Sequence, residues 1–221
     1  MKINEPAFSI IQPLMYKKID NYLGKINKQS VLASIIDFKM EMKLDGYYEK
    51  PEGVDLNKNP FYGIGMIEFH RRFDEIMEFF SKKLKNKKFQ YDHIMENRRK
   101  IFVTKIPIYS AILRDVFFTN EEWSYTKIDR QFNALYSNVT KLNEEKHISN
   151  QNIAKLNKNL FRAQSNLNKA WDLIFVSLHE NEGLIRRNIL GVRINFSSRA
   201  VIVPDASLRS YQIRIPYKHA A

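Results

Sequence analysis

Apolar residues recur at helical spacing through the first part of the chain. Residues 1–45 keep an amphipathic pattern, interrupted at the start by Pro6 and Pro13, through Ile19, Leu23, Ile26, Leu32, Ile35 and Ile36. A second helix is predicted from Gly63 to about Leu84, with an apolar face of Phe69, Phe73, Ile76, Met77 and Phe80. The glycines, prolines and asparagines of residues 46–60 predict a loop between these two regions.

The middle of the chain carries the longest periodic pattern. One apolar stripe comprises Ile128, Phe132, Leu135, Val139 and Leu142. After the polar residues 143–150, a second stripe comprises Ile153, Leu156, Leu160, Ala163, Leu167, Ala170, Ile174 and Leu178. Two such stripes around a short polar link predict an antiparallel helical hairpin, with Thr126 or Ser149 as a cap and Gly183 as a stop. Most of these apolar residues are expected to be buried, which leaves the tip and the outer faces for function.

Short strands are predicted at two places. Residues 100–108 alternate apolar and polar side chains up to Pro107, and residues 193–196, 199–203 and 212–216 are β-prone around a turn at Pro204. The fold class is therefore mostly α with short β segments (α+β).

Composition narrows the function classes. The 221 residues include no cysteine, which excludes disulfides and thiolate zinc sites, and no apolar run is long enough to cross a membrane. No secretory signal is predicted. The five histidines have no paired spacing typical of metal ligands, and the sequence has no glycine-rich phosphate loop or nucleophile elbow.

The net charge of +12 suits a polyanionic partner, although lysine enrichment in an AT-rich genome and solubility are alternatives. Residues 80–105 hold nine basic residues, most of them lysine, and two acidic residues. Residues 181–221 hold seven basic residues, most of them arginine, and two acidic residues. Because arginine binds phosphate in a bidentate way, the second cluster is the better candidate for backbone contacts, and the first is expected to be a solvated face.

The stretch from Gly191 to Leu208 is the most informative part of the sequence, because it matches a long, ordered motif. It resembles the G-K-R-V-D-[YF]-S-[GA]-R-[ST]-V-I-x-x-[PD]-x-x-L segment of the largest (β′-type) subunit of multisubunit RNA polymerases. The matching residues are Gly191, Arg193, Phe196, Ser197, Arg199, Val201 and Ile202, followed at the expected distance by Pro204, Asp205 and Leu208.

The resemblance continues upstream in the order of the family's segments. Gly65 to Phe69 is similar to the G-H-I-E-L segment of the clamp core. The later segments are a strand that ends in an I-P-x-x-P-x-x-R-P-like segment (103–108 and 113–116), a lid loop (117–125), stretches of the two clamp helices (135–139 and 160–178), a switch segment (184–191) and a P-K-x-M-A stretch (216–221). The similarity is strongest over residues 184–221 and weakest before residue 65.

Three features of the family are absent from this sequence: the four-cysteine zinc site, the rudder loop, and the N-A-D-F-D-G-D motif whose aspartates hold Mg²⁺. The resemblance therefore implies an N-terminal fragment of a split or truncated β′ subunit of DNA-directed RNA polymerase, a nucleotidyltransferase. Such a fragment is catalytically inert alone. It contains no cofactor, and the Mg²⁺ enters with the other chains of the assembled enzyme. A zinc-less, split, AT-rich β′ is most like the polymerases of large bacteriophages, which implies a cytoplasmic location in an infected bacterial host.

The resemblance also implies residue roles and partners. Contacts to the template strand and the RNA–DNA hybrid would come from Arg186, Arg187, Arg193, Ser197, Ser198 and Arg199. Lid aromatics that help to separate RNA from template would be Phe117, Phe118 and Trp123. A σ-like or other promoter-specificity factor would dock on the hairpin tip at Asn138, Lys141, Glu144 and Glu145. The more ordinary alternatives are ion pairs within the protein for the arginines and packing against the clamp for the aromatics.

The expected organisation is a zinc-less clamp core (1–112), a lid-like loop (113–125), the clamp-helix hairpin (126–180), a switch segment (181–195) and the start of a β-rich region (196–221). The last region would complete its fold with other chains, namely the rest of β′ and a β-like subunit. The alternative function is a stand-alone basic helical protein that binds nucleic acid or has a structural role.

Overall fold

The computed structural model describes residues 1–4, 8–26, 28–42, 48–49, 59–108, 110, 116–119, 122–145, 148–149, 151–179, 185–191, 199 and 201–217. The chain divides into two compact units, Met1–Phe175 and Val176–Ala221. Helices dominate the first unit, and the strands are short, which confirms the mostly α class with short β segments.

The helices are α1 (Pro13–Leu23), α2 (Val31–Ile36), α3 (Gly65–Arg71), α4 (Phe73–Lys83), α5 (Lys88–Glu96), α6 (Lys127–Glu144) and α7 (Ile153–His179). Two short 3₁₀ turns flank α5, at Lys85–Lys87 and Arg98–Lys100, and a π-helix follows at Ile185–Leu190. Buried side chains from all seven α-helices join one apolar core in the first unit.

The strands form antiparallel pairs of two: β1 (Ile10–Ile11) with β6 (Phe102–Val103), β2 (Lys25–Ile26) with β3 (Gln29–Ser30), β4 (Glu41–Met42) with β5 (Tyr48–Glu49), and β7 (Val116–Thr119) with β8 (Glu122–Tyr125). The predicted strand at residues 100–108 is thus present but short. An isolated bridge between Lys2 and Lys105 extends its pairing to the N-terminal residues.

The expectation that Pro13 interrupts the first helix was wrong, because α1 begins at that residue. Proline has no N–H to lose in the first helical turn, and its fixed φ suits that position. The Gln12 side chain accepts a hydrogen bond from the Met15 N–H at 3.2 Å and so caps the helix. Pro6 lies outside the described residues.

The helix predicted from Gly63 to Leu84 is divided into α3 and α4. The break falls at Arg72, whose φ of −103° and ψ of 20° leave the helical region. The apolar spacing continues across the break, since Phe69, Phe73 and Ile76 are all fully buried. For this reason the hydrophobic pattern alone could not reveal it.

The predicted helical hairpin is confirmed as α6 and α7, whose apolar stripes are buried. Thr126 caps α6 through its hydroxyl, which accepts from the Asp129 N–H at 3.2 Å. At the start of α7 the Ser149 carbonyl, rather than its side chain, accepts from the N–H groups of Asn152 and Ile153. Gly183 lies outside the described residues.

Two buried amides on α7 anchor the hairpin to the rest of the unit. The Gln164 side chain accepts from the Ile11 N–H at 2.7 Å and donates to the Ile11 carbonyl at 2.9 Å. The Asn157 Oδ1 accepts from the Ile67 N–H at 3.1 Å, near the start of α3. Both anchors join residues that are distant in sequence, so they fix how α7 packs against β1 and α3.

The second unit differs from its sequence-based expectation. Residues 201–217 form turns and extended chain but no strand, although they are β-prone. A strand requires a neighbour for its backbone groups, and no second strand pairs with this segment among the described residues. The domain boundaries proposed from the sequence remain predictions.

Candidate nucleic-acid interface

A π-helix at Ile185–Leu190 lies within the predicted switch segment. A π-helical turn is rare and frequently occurs at functional sites. Arg186 is exposed, and the backbone of Arg187 lies in the same turn, next to the exposed Ile189 and Leu190. Among the side chains of this segment that the structure describes, Arg186, Ile189 and Leu190 are exposed.

Within the polymerase-like motif, Arg193, Ser197 and Ser198 lie outside the described residues. Arg199 is described, is exposed, and belongs to no regular element. In the part of the chain that the structure describes, no carboxylate lies within ion-pair distance of Arg199. Its guanidinium is therefore available to an external anion.

The turn near the end of the motif is held by Asp205. Its carboxylate accepts from the Ser207 hydroxyl at 2.7 Å and from the Ser207 N–H at 3.0 Å, and these hydrogen bonds hold the pKa of Asp205 below its usual value. The second carboxylate oxygen lies 2.6 Å from the Arg214 guanidinium. Arg214 counts towards the basic C-terminal cluster in the sequence, but Asp205 neutralises it locally.

Residues 201–217 expose an unusual amount of apolar surface. Their large apolar side chains are mostly solvent-exposed, and Ile202 reaches 97% exposure. They line a groove of about 850 Å³ together with Pro204, Leu208 and Pro216. Large exposed apolar patches are typical of surfaces that associate with another molecule.

Within the predicted lid segment, residues 116–119 and 122–125 form a β-hairpin. β7 and β8 pair over four residues each, with Phe118 opposite Trp123. The two rings lie 5.0 Å apart and are 59% and 68% exposed, respectively. Cross-strand aromatic pairs stabilise a two-stranded ribbon, so these residues pack on each other and remain largely exposed. Phe117 lies on β7 opposite Ser124.

The four residues proposed for factor docking differ in placement. Lys141 and Glu144 are exposed near the end of α6. Glu145 pairs with Lys155 of α7 at 2.5 Å, and the hydrogen bond from Lys155 lowers the pKa of Glu145. Asn138 lies on the buried side of α6 and donates to the Ala134 carbonyl at 2.8 Å. Asn138 therefore contributes no exposed surface, whereas the other three residues lie near the tip.

The lysine-rich cluster of residues 80–105 is only partly a solvated face. Arg98 pairs with Asp74 at 2.5 Å, Lys82 pairs with Glu78 at 2.8 Å, and the Lys83 ammonium lies 4.4 Å from the centre of the Phe79 ring. Exposed Phe89 interrupts the lysine run, and sequence reasoning did not select it. The available signal was an aromatic residue on the polar side of a helix with a weak apolar face.

No group of three or more His, Asp or Glu side chains that could hold a metal ion occurs in the described part of the chain. Among the helices of that same part, none is long and apolar enough to cross a membrane.

Comparison with known proteins gives one further observation. No protein-family model matches the chain. A DNA-directed RNA polymerase I subunit, rpa1 of Dictyostelium discoideum, is 36% identical to it over 55 residues. The chain is distantly similar to an RNA polymerase subunit. The aligned region covers 25% of the chain and 3% of the relative, so the polymerase's activity and partners do not transfer from the similarity alone.

Proposed function

We propose that the chain is an N-terminal part of a β′-like subunit of a DNA-dependent RNA polymerase. The observation that carries the proposal is the ordered motif from Gly191 to Leu208, supported by the distant similarity to rpa1. The subunit would contribute clamp, lid and template-binding elements to DNA-templated transcription.

The exposed apolar groove of residues 201–217 supports assembly with other chains. A segment with β-prone side chains and unpaired backbone groups can add to a neighbouring sheet, where main-chain hydrogen bonds and alternate side chains both contribute. In the proposed enzyme this neighbour belongs to the rest of β′ or to a β-like subunit. The geometry therefore fits a chain that completes its C-terminal fold in a complex.

Nucleotidyl transfer needs metal ions that stabilise the attacking and leaving oxygens. The described residues hold no group of acidic side chains that could bind Mg²⁺, and the proposal places the metal site outside them. The role of this chain is then to hold nucleic acid. Arg186, Arg187, Arg193 and Arg199, with Ser197 and Ser198, would contact the template backbone, since such contacts position the strand without reading its sequence.

The exposed pair of Phe118 and Trp123 fits the lid role, because an aromatic ring can stack on a base at the upstream end of the RNA–DNA hybrid. Lys141, Glu144 and Glu145 at the hairpin tip would dock a σ-like or other promoter-specificity factor. A polymerase of this zinc-less kind would be most like those of large bacteriophages, which act in the cytoplasm of a bacterial host.

Affinity purification of the tagged chain from its native setting, with mass spectrometry of the bound polypeptides, tests the proposal. Recovery of a chain with a D-x-D-x-D motif and of a β-like subunit is expected. Recovery of the chain alone, or with nucleic acid only, would favour a stand-alone basic binding protein and contradict the proposal.

A double variant and a matched control test whether the apolar groove is the surface that binds the other chains in this co-purification. Ile202→Asp with Ile213→Asp places two charges in this exposed surface and is expected to abolish co-purification. Leu14→Asp with Tyr136→Asp changes two exposed residues of the first unit and is expected to leave co-purification unchanged. Equal recovery with both pairs would show that the groove is not the assembly surface.

Arg199→Ala is expected to lower transcription by the assembled enzyme by at least about tenfold at moderate salt, because a charge-assisted hydrogen bond to phosphate contributes about 1.5–3 kcal/mol. Run-off transcription with the reconstituted complex provides the measurement. Assembly should be unchanged, because Arg199 is exposed and makes no ion pair within the described part of the chain. Arg162→Ala, an exposed arginine of α7, is the control. Transcription at the control level would contradict the template contact.

A further inference from the structure

A second surface with nucleic-acid chemistry lies in the first unit, where the start of α5 packs against α1 and the end of α4. We define this α5 surface by Lys85, Lys88, Phe89, Tyr91 and Tyr22. It shares no residue with the arginine-rich motif of the second unit or with the β7–β8 hairpin. It does not depend on the polymerase proposal.

The lysines around α5 fall into two groups. Lys87 is committed to the fold, because its ammonium donates to the carbonyls of Asn21 at 3.0 Å and Tyr22 at 2.8 Å at the end of α1. A lysine in this position satisfies the last carbonyls of a helix and complements its dipole. Lys85 and Lys88 are exposed and have no ion-pair or hydrogen-bond partner among the described residues. Their charges are therefore available to an external anion.

Lys85 and Lys88 line a cavity of about 260 Å³ between α4 and α5. Its wall also includes Tyr22, Tyr91 and Asp92. Two ammonium groups oppose one carboxylate, so the cavity keeps a net positive charge. Its volume is ample for a phosphate group.

The Tyr22 side chain is fully buried, and its hydroxyl has no hydrogen-bond partner in the described part of the chain. Burial, followed by the neighbouring Tyr91, raises the pKa of Tyr22 to about 12. The hydroxyl therefore stays protonated at neutral pH and remains a donor. A buried donor without a partner is destabilising, and an anion in the adjoining cavity would supply the missing acceptor.

Phe89 is 84% exposed, next to Lys88 on the same helical turn. It borders a second cavity of about 350 Å³ together with Lys18 and His93. The Lys18 ammonium, which can only donate, lies 2.6 Å from the His93 Nε2. An exposed aromatic ring between lysines is typical of surfaces that stack a base and track its backbone.

We propose that the α5 surface binds single-stranded nucleic acid, with a backbone phosphate in the cavity of Lys85 and Lys88 and a base stacked on Phe89. A single strand is favoured over a duplex because only an unpaired base offers its face to a ring. An acidic protein would satisfy the lysines but does not account for the exposed Phe89 beside a cavity of phosphate size.

Fluorescence anisotropy of a labelled single-stranded oligodeoxynucleotide with the full chain tests the proposal. Lys85→Gln with Lys88→Gln should weaken binding and reduce the slope of log K against log salt by about 1.4, since each contact to a single strand contributes about 0.7. Lys158→Gln with Lys169→Gln removes the same charge from exposed positions of α7. A slope change no larger than that of this control pair would overturn the phosphate site.

Two further variants change no charge, so they measure what stacking on Phe89 and the buried Tyr22 hydroxyl contribute to binding apart from electrostatic attraction. Phe89→Ala should weaken binding about tenfold, and Phe89→Trp should restore it, without a change in the unfolding midpoint, because the ring is exposed. Tyr22→Phe should weaken binding severalfold while leaving stability unchanged or raised, since it removes an unsatisfied hydroxyl. Equal affinity of wild type and Phe89→Ala, or equal affinity for a duplex of the same sequence, would contradict the proposal.

Discussion

Gly65→Ala is expected to lower the free energy of unfolding by about 2–5 kcal/mol. Gly65 has a φ of +86°, which an alanine adopts only with strain. A Cβ at this position would lie 2.5 Å from the Asn157 Oδ1 and 2.9 Å from the Phe38 Cδ2, and both side chains are part of packed surroundings. Strain and overpacking each cost about 1–3 kcal/mol. Urea denaturation followed by far-UV circular dichroism gives the value.

Gly24→Ala is the matched control for the backbone component. Gly24 also has a positive φ, +75°, but the nearest atom to an added Cβ is the Lys87 Nζ at 3.9 Å, an ordinary van der Waals distance. This variant should therefore show only conformational strain, about 1–3 kcal/mol. The clash itself is measured in the double variant Gly65→Ala with Asn157→Ala, whose effect should be smaller than the sum of the single effects by about 1 kcal/mol or more. Strict additivity would show that Gly65 and Asn157 do not oppose each other.

Much of the helical architecture follows from the periodic pattern. The stripe from Phe132 to Leu142 and its partner in α7 predict the hairpin because each buries a continuous apolar face. The break at Arg72 could not be predicted, because the apolar spacing from Phe69 to Ile76 continues through it. The short strands form because distant segments pair, as Ile10 does with Val103. Local β propensity does not predict such pairings.

In the candidate sites, too, the sequence predicted some features and the fold determined others. The resemblance to the polymerase motif selected Arg199, and the structure shows that this residue is exposed. Its proposed contact with the template requires nucleic acid to be bound. Counting charge placed Arg214 in a basic cluster, whereas the fold pairs it with Asp205. The α5 surface was missed because only the fold reveals that Lys87 is used by the end of α1 while Lys88 and Phe89 face outward. Whether a basic side chain can bind an external anion depends on whether a carboxylate or carbonyl of the folded protein already pairs with it. The sequence alone does not reveal these pairings.

Helix α7 gains its position from polar groups as well as apolar ones. Leu156, Leu160 and Ala163 fill the core, but apolar contacts are non-directional and tolerate small shifts of a helix. The amides of Asn157 and Gln164 require fixed distances to backbone groups of other elements. These two side chains therefore set the register of α7 relative to α3 and β1.

Gln164→Leu is expected to cost about 3–5 kcal/mol of unfolding free energy, although the two side chains are similar in size. The change leaves the N–H and the carbonyl of Ile11 without partners in the core, and each unsatisfied buried group costs about 1–3 kcal/mol. Gln151→Leu, at an exposed position, should change stability by no more than about 0.5 kcal/mol. Chemical denaturation of the two variants under the same conditions gives the comparison.

Gln164→Glu separates hydrogen bonding from side-chain shape, because its protonated carboxyl can both accept from and donate to Ile11. The ionised carboxylate cannot donate to the Ile11 carbonyl and is poorly solvated, so burial should raise the pKa of Glu in the folded state. The folded chain then binds more protons than the unfolded chain above pH about 4, and stability should fall as pH rises towards neutrality. A stability difference between Gln164→Glu and wild type that does not depend on pH, or a Gln164→Leu variant as stable as wild type, would show that α7 is not held through the backbone of Ile11.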